Sequence, residues 1–243
     1  MIRHATFEAS LRGLEGLFTI NGVPITAWTE APAETTCVAR GVARWLLRGR
    51  NQLTAITQRG RSRGPVEVEA TLDDHRGEAL VRLRGSDANG VLSEAFELED
   101  GSATGLWHDA EVLEDADAHR RELFAALEPI RGSIIDRDVS SLLRLRAYAL
   151  RDEAKLHPGL SADKDWTVTA RAVHEDILSD ASLTFVPFPS ESTRYELVGG
   201  GRILSVWSAE RTPPLRFIDS EGECAFSMEL HFARIRGTLV WVR

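Results

Sequence analysis

At His174-Glu175-Asp176, and again at His108-Asp109, the sequence sets an imidazole beside a carboxylate. An oriented general base needs such a neighbour, and a zincin-type site needs a second His four residues on, so that both rings leave one side of a helix. Position 178 is Leu, so the first group reads as a solvated helix face. No G-x-S-x-G nucleophile elbow accompanies the second, which reads as linker structure. Gly199-Gly200-Gly201 would cradle a phosphate only ahead of a helix, and the following RILSVW reads as a strand, so a hairpin turn is expected. Asp219, Glu221 and Glu223 are too short a run for an EF-hand loop and read as a solvated turn. No catalytic residue, metal or cofactor is therefore expected.

A sharper anomaly lies between residues 133 and 155. With Ile135 at 0° and about 100° per residue, Val139, Leu142, Leu143, Ala149 and Leu150 share one apolar arc. Arg146, near about 20°, and Glu153, near about 0°, fall inside that arc. A charge there is costly unless it is paired or its head reaches water. Arg146 is expected to snorkel past a sheet edge or pair with a carboxylate of the C-terminal sheet. The functional alternative puts Arg146 and Glu153 at an open mouth that admits a polar ligand or a partner's side chain. Among six tryptophans, Trp28 sits in the loop-like TAWTEAPAETT and is expected to be the most exposed, as aromatics at partner surfaces and sugar platforms are. Trp107 and His108 complete the set of candidate binding residues, at the expected junction between two domains.

The elements that position these residues change character along the chain. Residues 1–110 alternate short apolar runs with Gly, Asn and Asp clusters, the rhythm of an antiparallel sandwich. Asn21-Gly22 is its clearest turn, suited to the two positive φ angles of a type I′ hairpin. From 113 the period becomes helical. Helices are expected over about 115–128, stopped by Pro129, over 133–155, started by Ser133-x-x-Asp136 and ended by His157-Pro158-Gly159, and over 162–178, where helix is preferred to strand. Antiparallel strands complete 113–243. The expected fold is thus an all-β, jelly-roll-like sandwich followed by an α+β domain with two or three helices packed on an antiparallel sheet.

Residues 17–57, through Asn21, Gly22, Gly49, Asn51 and Leu53, resemble galactose-binding-like jelly-roll modules attached to glycoside hydrolases. That resemblance implies structural roles for these positions, a turn and a returning loop, and brings no sugar-contacting residue with it. The closing strands, ending in ARIRGTLVWVR, resemble those of nuclear-transport-factor-2-like domains, in which a turn Gly precedes a Trp-containing last strand.

Composition sets the outer bounds. A net charge of −8 and a pI near 5.4 disfavour nucleic acid, although Arg44, Arg48, Arg50, Arg59, Arg61 and Arg63 make a local basic excess better suited to an anionic protein partner. Cys37 and Cys224 provide neither a disulfide framework nor zinc spacing, and no apolar run has the length of a leader or a membrane span. A bacterial, cytoplasmic protein is expected, with a composition that leaves its oligomeric state open. The first functional expectation is a non-catalytic adaptor, accessory or toxin-neutralising protein that binds another protein. A carbohydrate- or small-ligand-binding module is the alternative, and a hydrolase using His108, Asp109 or His174 comes third.

Overall fold

A computed structural model of the chain describes residues 5–28, 35–40, 42–59, 65–86, 90–99, 106–156, 165–187, 193–208 and 213–242. It is β-rich with some helix, and divides into two compact units, Met1–Gly105 and Leu106–Arg243.

The first unit contains β1 (Ala5–Arg12), β2 (Leu14–Ile20), β3 (Val23–Trp28), β4 (Thr35–Arg40), β5 (Gly49–Arg59), β6 (Glu67–Asp74), β7 (Ala79–Gly85) and β8 (Gly90–Leu98). They pair antiparallel into two sheets, ordered β4-β1-β6-β7 and β3-β2-β5-β8. Only Gly13, at φ 64°, separates β1 from β2, and there the chain passes from one sheet to the other. Alternation decides which side chains meet: Phe7, Ala9 and Leu11 of β1 and Val68, Ala70 and Leu72 of β6 are buried, as are Leu53 and Ala55 of β5. Phe7 and Phe18, one from each sheet, approach to 5.0 Å between ring centroids and join the two faces. Each such fully buried side chain stabilises the fold by roughly 1.5–3 kcal/mol. Asn21 and Gly22 turn the chain at φ 52° and 77°, and Pro24, which has no N–H to donate, sits on the edge strand β3.

In the second unit, short 3-10 turns at Leu106–Asp109 and Asp117–His119 precede α1 (Arg120–Ile135), α2 (Val139–Leu145), α3 (Ala147–Leu156) and α4 (Asp165–Ser179). The strands β9 (Thr184–Val186), β10 (Arg194–Val198), β11 (Ile203–Trp207), β12 (Leu215–Ile218), β13 (Cys224–Met228), β14 (Leu230–Ile235) and β15 (Thr238–Trp241) follow. They form sheets ordered β10-β11-β14-β15 and β13-β12-β9. Leu123, Leu127, Ile130 and Ile134 repeat at helical spacing along α1 and share one core with Leu204, Val206, Leu230, Phe232 and Trp241 of the strands. Gly199–Gly201 turn β10 into β11 with φ of 61°, 67° and 82°. A Cβ at Gly201 would lie 2.8 Å from the Leu113 carbonyl oxygen.

Two helix boundaries expected from the sequence are corrected. Pro129 does not stop a helix at 128; it lies inside α1, which starts at Arg120 rather than 115 and runs to Ile135. Burial of Ile130 and Ile134 beyond the proline offsets the roughly 3 kcal/mol that proline costs in a helix interior. The single helix expected over 133–155 is three pieces: the end of α1, then α2, then α3. Ser133 is not a cap, since its hydroxyl donates back to the Pro129 carbonyl at 2.8 Å. α1 instead ends in a Schellman arrangement, with Arg137 at φ 55°, its N–H on Ile134 O, and the Asp138 N–H on Ser133 O. Asp138 then caps α2 by accepting the Ser141 N–H at 3.0 Å. The segment expected as helix over 162–178 is α4.

Candidate functional site

Arg146 occupies the break between α2 and α3, at φ −82° and ψ 2°. The helical hydrogen bonds nevertheless carry past it, from Arg146 N–H to Leu142 O and from Leu150 N–H to Arg146 O. Its head turns inward. Nη1 donates to His174 Nε2 of α4 at 2.8 Å, Nη2 stands 3.8 Å from Glu153 Oε1 of α3, and the guanidinium lies 5.3 Å from the centroid of the Trp241 ring on β15. A guanidinium only donates, so His174 Nε2 must accept, which places the ring proton on Nδ1 and makes the imidazole neutral. Burial, helped by the Arg146 charge, pushes the His174 pKa down to about 4. The Nε2 lone pair is thus committed to Arg146 and unavailable to a metal or a reacting proton. Arg146 and Glu153, the two charges singled out on the apolar arc, come together, and this carboxylate belongs to a helix and not, as expected for the partner of Arg146, to the sheet. His174 was read from the sequence as solvated and is in fact only 3% exposed. A buried neutral acceptor for Arg146 has no sequence signal beyond helical spacing on α4.

The other expected residues lie apart. Trp107 is buried in the second unit and stacks on His108 with ring centroids 4.3 Å apart, inside the 3-10 turn Leu106–Asp109. Among the described residues His108 Nε2 is buried without a hydrogen-bond partner, and desolvation, partly countered by Asp109, lowers its pKa. Trp28 is not in a loop: its backbone ends β3, in register with Gly16, because the β2–β3 pairing extends that far. Its side chain lies outside the described residues. Asp219 is spent on its own turn, accepting the N–H groups of Glu221 and Glu223 at 2.9 and 3.0 Å. Among the described residues, no group of three His, Cys, Asp or Glu could hold a metal, and no helix is long and apolar enough to cross a membrane.

The sheet also brings together residues that sequence spacing does not. Ser205 on β11 is in register with His231 on β14, and His231 Nε2 stands 3.2 Å from Glu229. These are the residue types of a hydrolytic triad. Ser205 is fully buried, however, and its hydroxyl has no hydrogen-bond partner among the described residues, so it is not an activated nucleophile facing solvent.

A different kind of site lies on the first unit. Leu17, Ile56 and Val91 are consecutive partners across β2, β5 and β8. Ile56 is 45% and Val91 67% exposed. Two residues along each strand the same face is polar. Thr54 and Ser93 share a hydroxyl hydrogen bond of 2.8 Å on one side, and Gln58 donates to Glu15 at 2.8 Å on the other. An apolar centre with a hydrogen-bonded rim is the anatomy of a protein contact surface. Each residue alone looks ordinary in sequence, and only the register puts them in one row. No protein-family model, curated protein or solved structure matches this chain.

Proposed function

We propose that this chain is a non-catalytic cytoplasmic protein of the adaptor, accessory or toxin-neutralising kind, which binds another protein through the outer face of the β3-β2-β5-β8 sheet. The carrying observation is the Leu17–Ile56–Val91 row, an apolar centre exposed between two polar borders. The inward turn of Arg146 also supports the reading, because a charge satisfied by His174 and Glu153 serves the fold. A photo-crosslinking residue at Val91 is expected to trap a discrete protein adduct in cells, and Ile56→Arg is expected to abolish it. A crosslinker at Val168, exposed on α4, serves as the control. Equal adducts from both positions, or none from position 91, overturn the reading.

A second reading, the small-ligand or carbohydrate module, has one observation in its favour. A hollow of about 380 Å³ is lined by Ala116, Asp117, Arg194, Tyr195, Glu196 and Trp207, mixing aromatic and polar groups at a size typical of small-ligand pockets. The jelly-roll-like residues do not add to it, since Asn21 and Asn51 are bonded to each other and to backbone. Titrating monosaccharides against tryptophan fluorescence tests it. Quenching in the parent protein that disappears in Trp207→Phe supports this reading, and an unchanged spectrum ends it.

A further inference from the structure

The helical layer carries a concentration of charge that runs against the protein's overall acidity. Ser140, Arg144, Ala147 and Arg151 succeed one another at spacings of four, three and four along α2 and α3, with Leu143 and Leu150 beside them. This stripe faces Thr167 and Arg171 of α4 across a groove of about 300 Å³. Three of the eight lining residues are arginines, and none carries a negative charge.

The arginines are only partly occupied. Arg171 reaches Glu175 at 3.3 Å and touches Ser140 Oγ at the limit of hydrogen bonding, 3.5 Å. Arg144 donates to Ser141 Oγ at 2.7 Å, and the Arg151 guanidinium lies 5.5 Å from the Tyr148 ring centroid. Among the described residues, neither Arg144 nor Arg151 has a carboxylate within ion-pair distance. Like charges gathered around one concavity repel each other and attract a counter-ion.

We propose that this groove binds a small organic phosphate monoester, its phosphate held by Arg144, Arg151 and Arg171 and its organic part seated on Leu143, Ala147 and Leu150. A monoester carries about −1.5 to −2 charges near neutral pH, a better match for three cations than a carboxylate's single charge. Guanidinium forks also fit phosphate oxygens in pairs. Leu143 and Leu150 are buried at 6% and 7% exposure, so the floor is apolar and favours an ester over free phosphate. The volume is at the small end for ligand pockets, and the net charge of −8 opposes a long polyanion.

Isothermal titration of the full chain with phenyl phosphate, inorganic phosphate and benzoate tests this. Phenyl phosphate is expected to bind roughly tenfold more tightly than either of the others, because only it has both dianion and ring. The double variant Arg144→Gln/Arg151→Gln, at two exposed positions, is expected to lose at least about tenfold in affinity with its melting temperature unchanged. Ala147→Leu keeps every charge and is expected to exclude phenyl phosphate by filling the floor. Absence of phenyl phosphate binding at millimolar concentration overturns the proposal. So does affinity equal to that for inorganic phosphate, or binding unchanged in the double variant. None of these outcomes bears on the protein-contact surface of the first unit, which the Val91 crosslink tests separately.

Discussion

Asn51 in the first unit and His174 in the second are almost equally buried, at 1% and 3% exposure, and they are satisfied by opposite means. Asn51 sits in a neutral network. Its Oδ1 accepts from Leu47 N–H at 2.7 Å and from Asn21 Nδ2 at 2.9 Å, while its Nδ2 donates to the Leu47 and Gly49 carbonyls. Asn21 in turn donates to the Trp45 carbonyl and accepts the Gln52 N–H, tying the β2–β3 turn to the loop before β5. His174 meets a cation. Its only role toward Arg146 is to accept, and the arrangement holds only while the ring is uncharged. The amide cluster therefore stabilises without regard to pH, whereas the imidazole cluster carries a titration.

Several substitutions would break this contrast. Asn51→Ala is expected to have the largest effect, about 3–4 kcal/mol of lost stability by denaturant unfolding, since it strands the Leu47 N–H, two carbonyls and the Asn21 amide. The loss should be the same at pH 7 and pH 5.

Acidification should give the next largest change. His174 has a folded pKa of about 4 against an unfolded 6.5, so between those values the unfolded chain binds the extra proton. Its contribution is complete above about pH 6.5 and declines by about 3 kcal/mol as pH falls toward 4. His174→Gln, whose amide oxygen can accept from Arg146, should flatten that part of the melting-temperature profile. A slope unchanged in the variant would remove His174 as its source.

Arg146→Ala should cost about 2 kcal/mol, because it removes the guanidinium from beside Glu153 and His174 and strips the cover from Trp241. Asp138→Ala should have the smallest effect, a slight fall in melting temperature through the lost cap of α2, with no coupling to the amide cluster in a double-mutant cycle with Asn51→Ala.

How much of this was legible in the sequence follows the same division. The Asn21-Gly22 turn, the glycine hairpin at 199–201 and the helical state of α4 were readable because neighbouring residues alone decide them, although the side of α4 that is buried carries His174 and not Val173. Arg146 and Glu153 were recognisable as an anomaly, since charge on an apolar arc is a local fact. Their acceptor was not, because His174 lies 28 residues from Arg146 and meets it only when α4 packs on α2 and α3. Pro129 misled for a related reason: its local cost is real, and the core around Ile130 and Ile134 outweighs it. The Leu17–Ile56–Val91 row had no sequence signal, and the arginine groove had only the helical spacing of Arg144 and Arg151, with Arg171 brought opposite them by the packing of α4.

By itself, then, the sequence determined the β-rich then helical order, the turns, the acidic balance and the presence of one misplaced charge pair. Those depend on backbone preference and on residues a few positions apart. Tertiary structure alone decided which groups meet across strands and helices, and with them every candidate surface. Register and helix packing are set by burying the whole core at once, and no short window of sequence contains that sum.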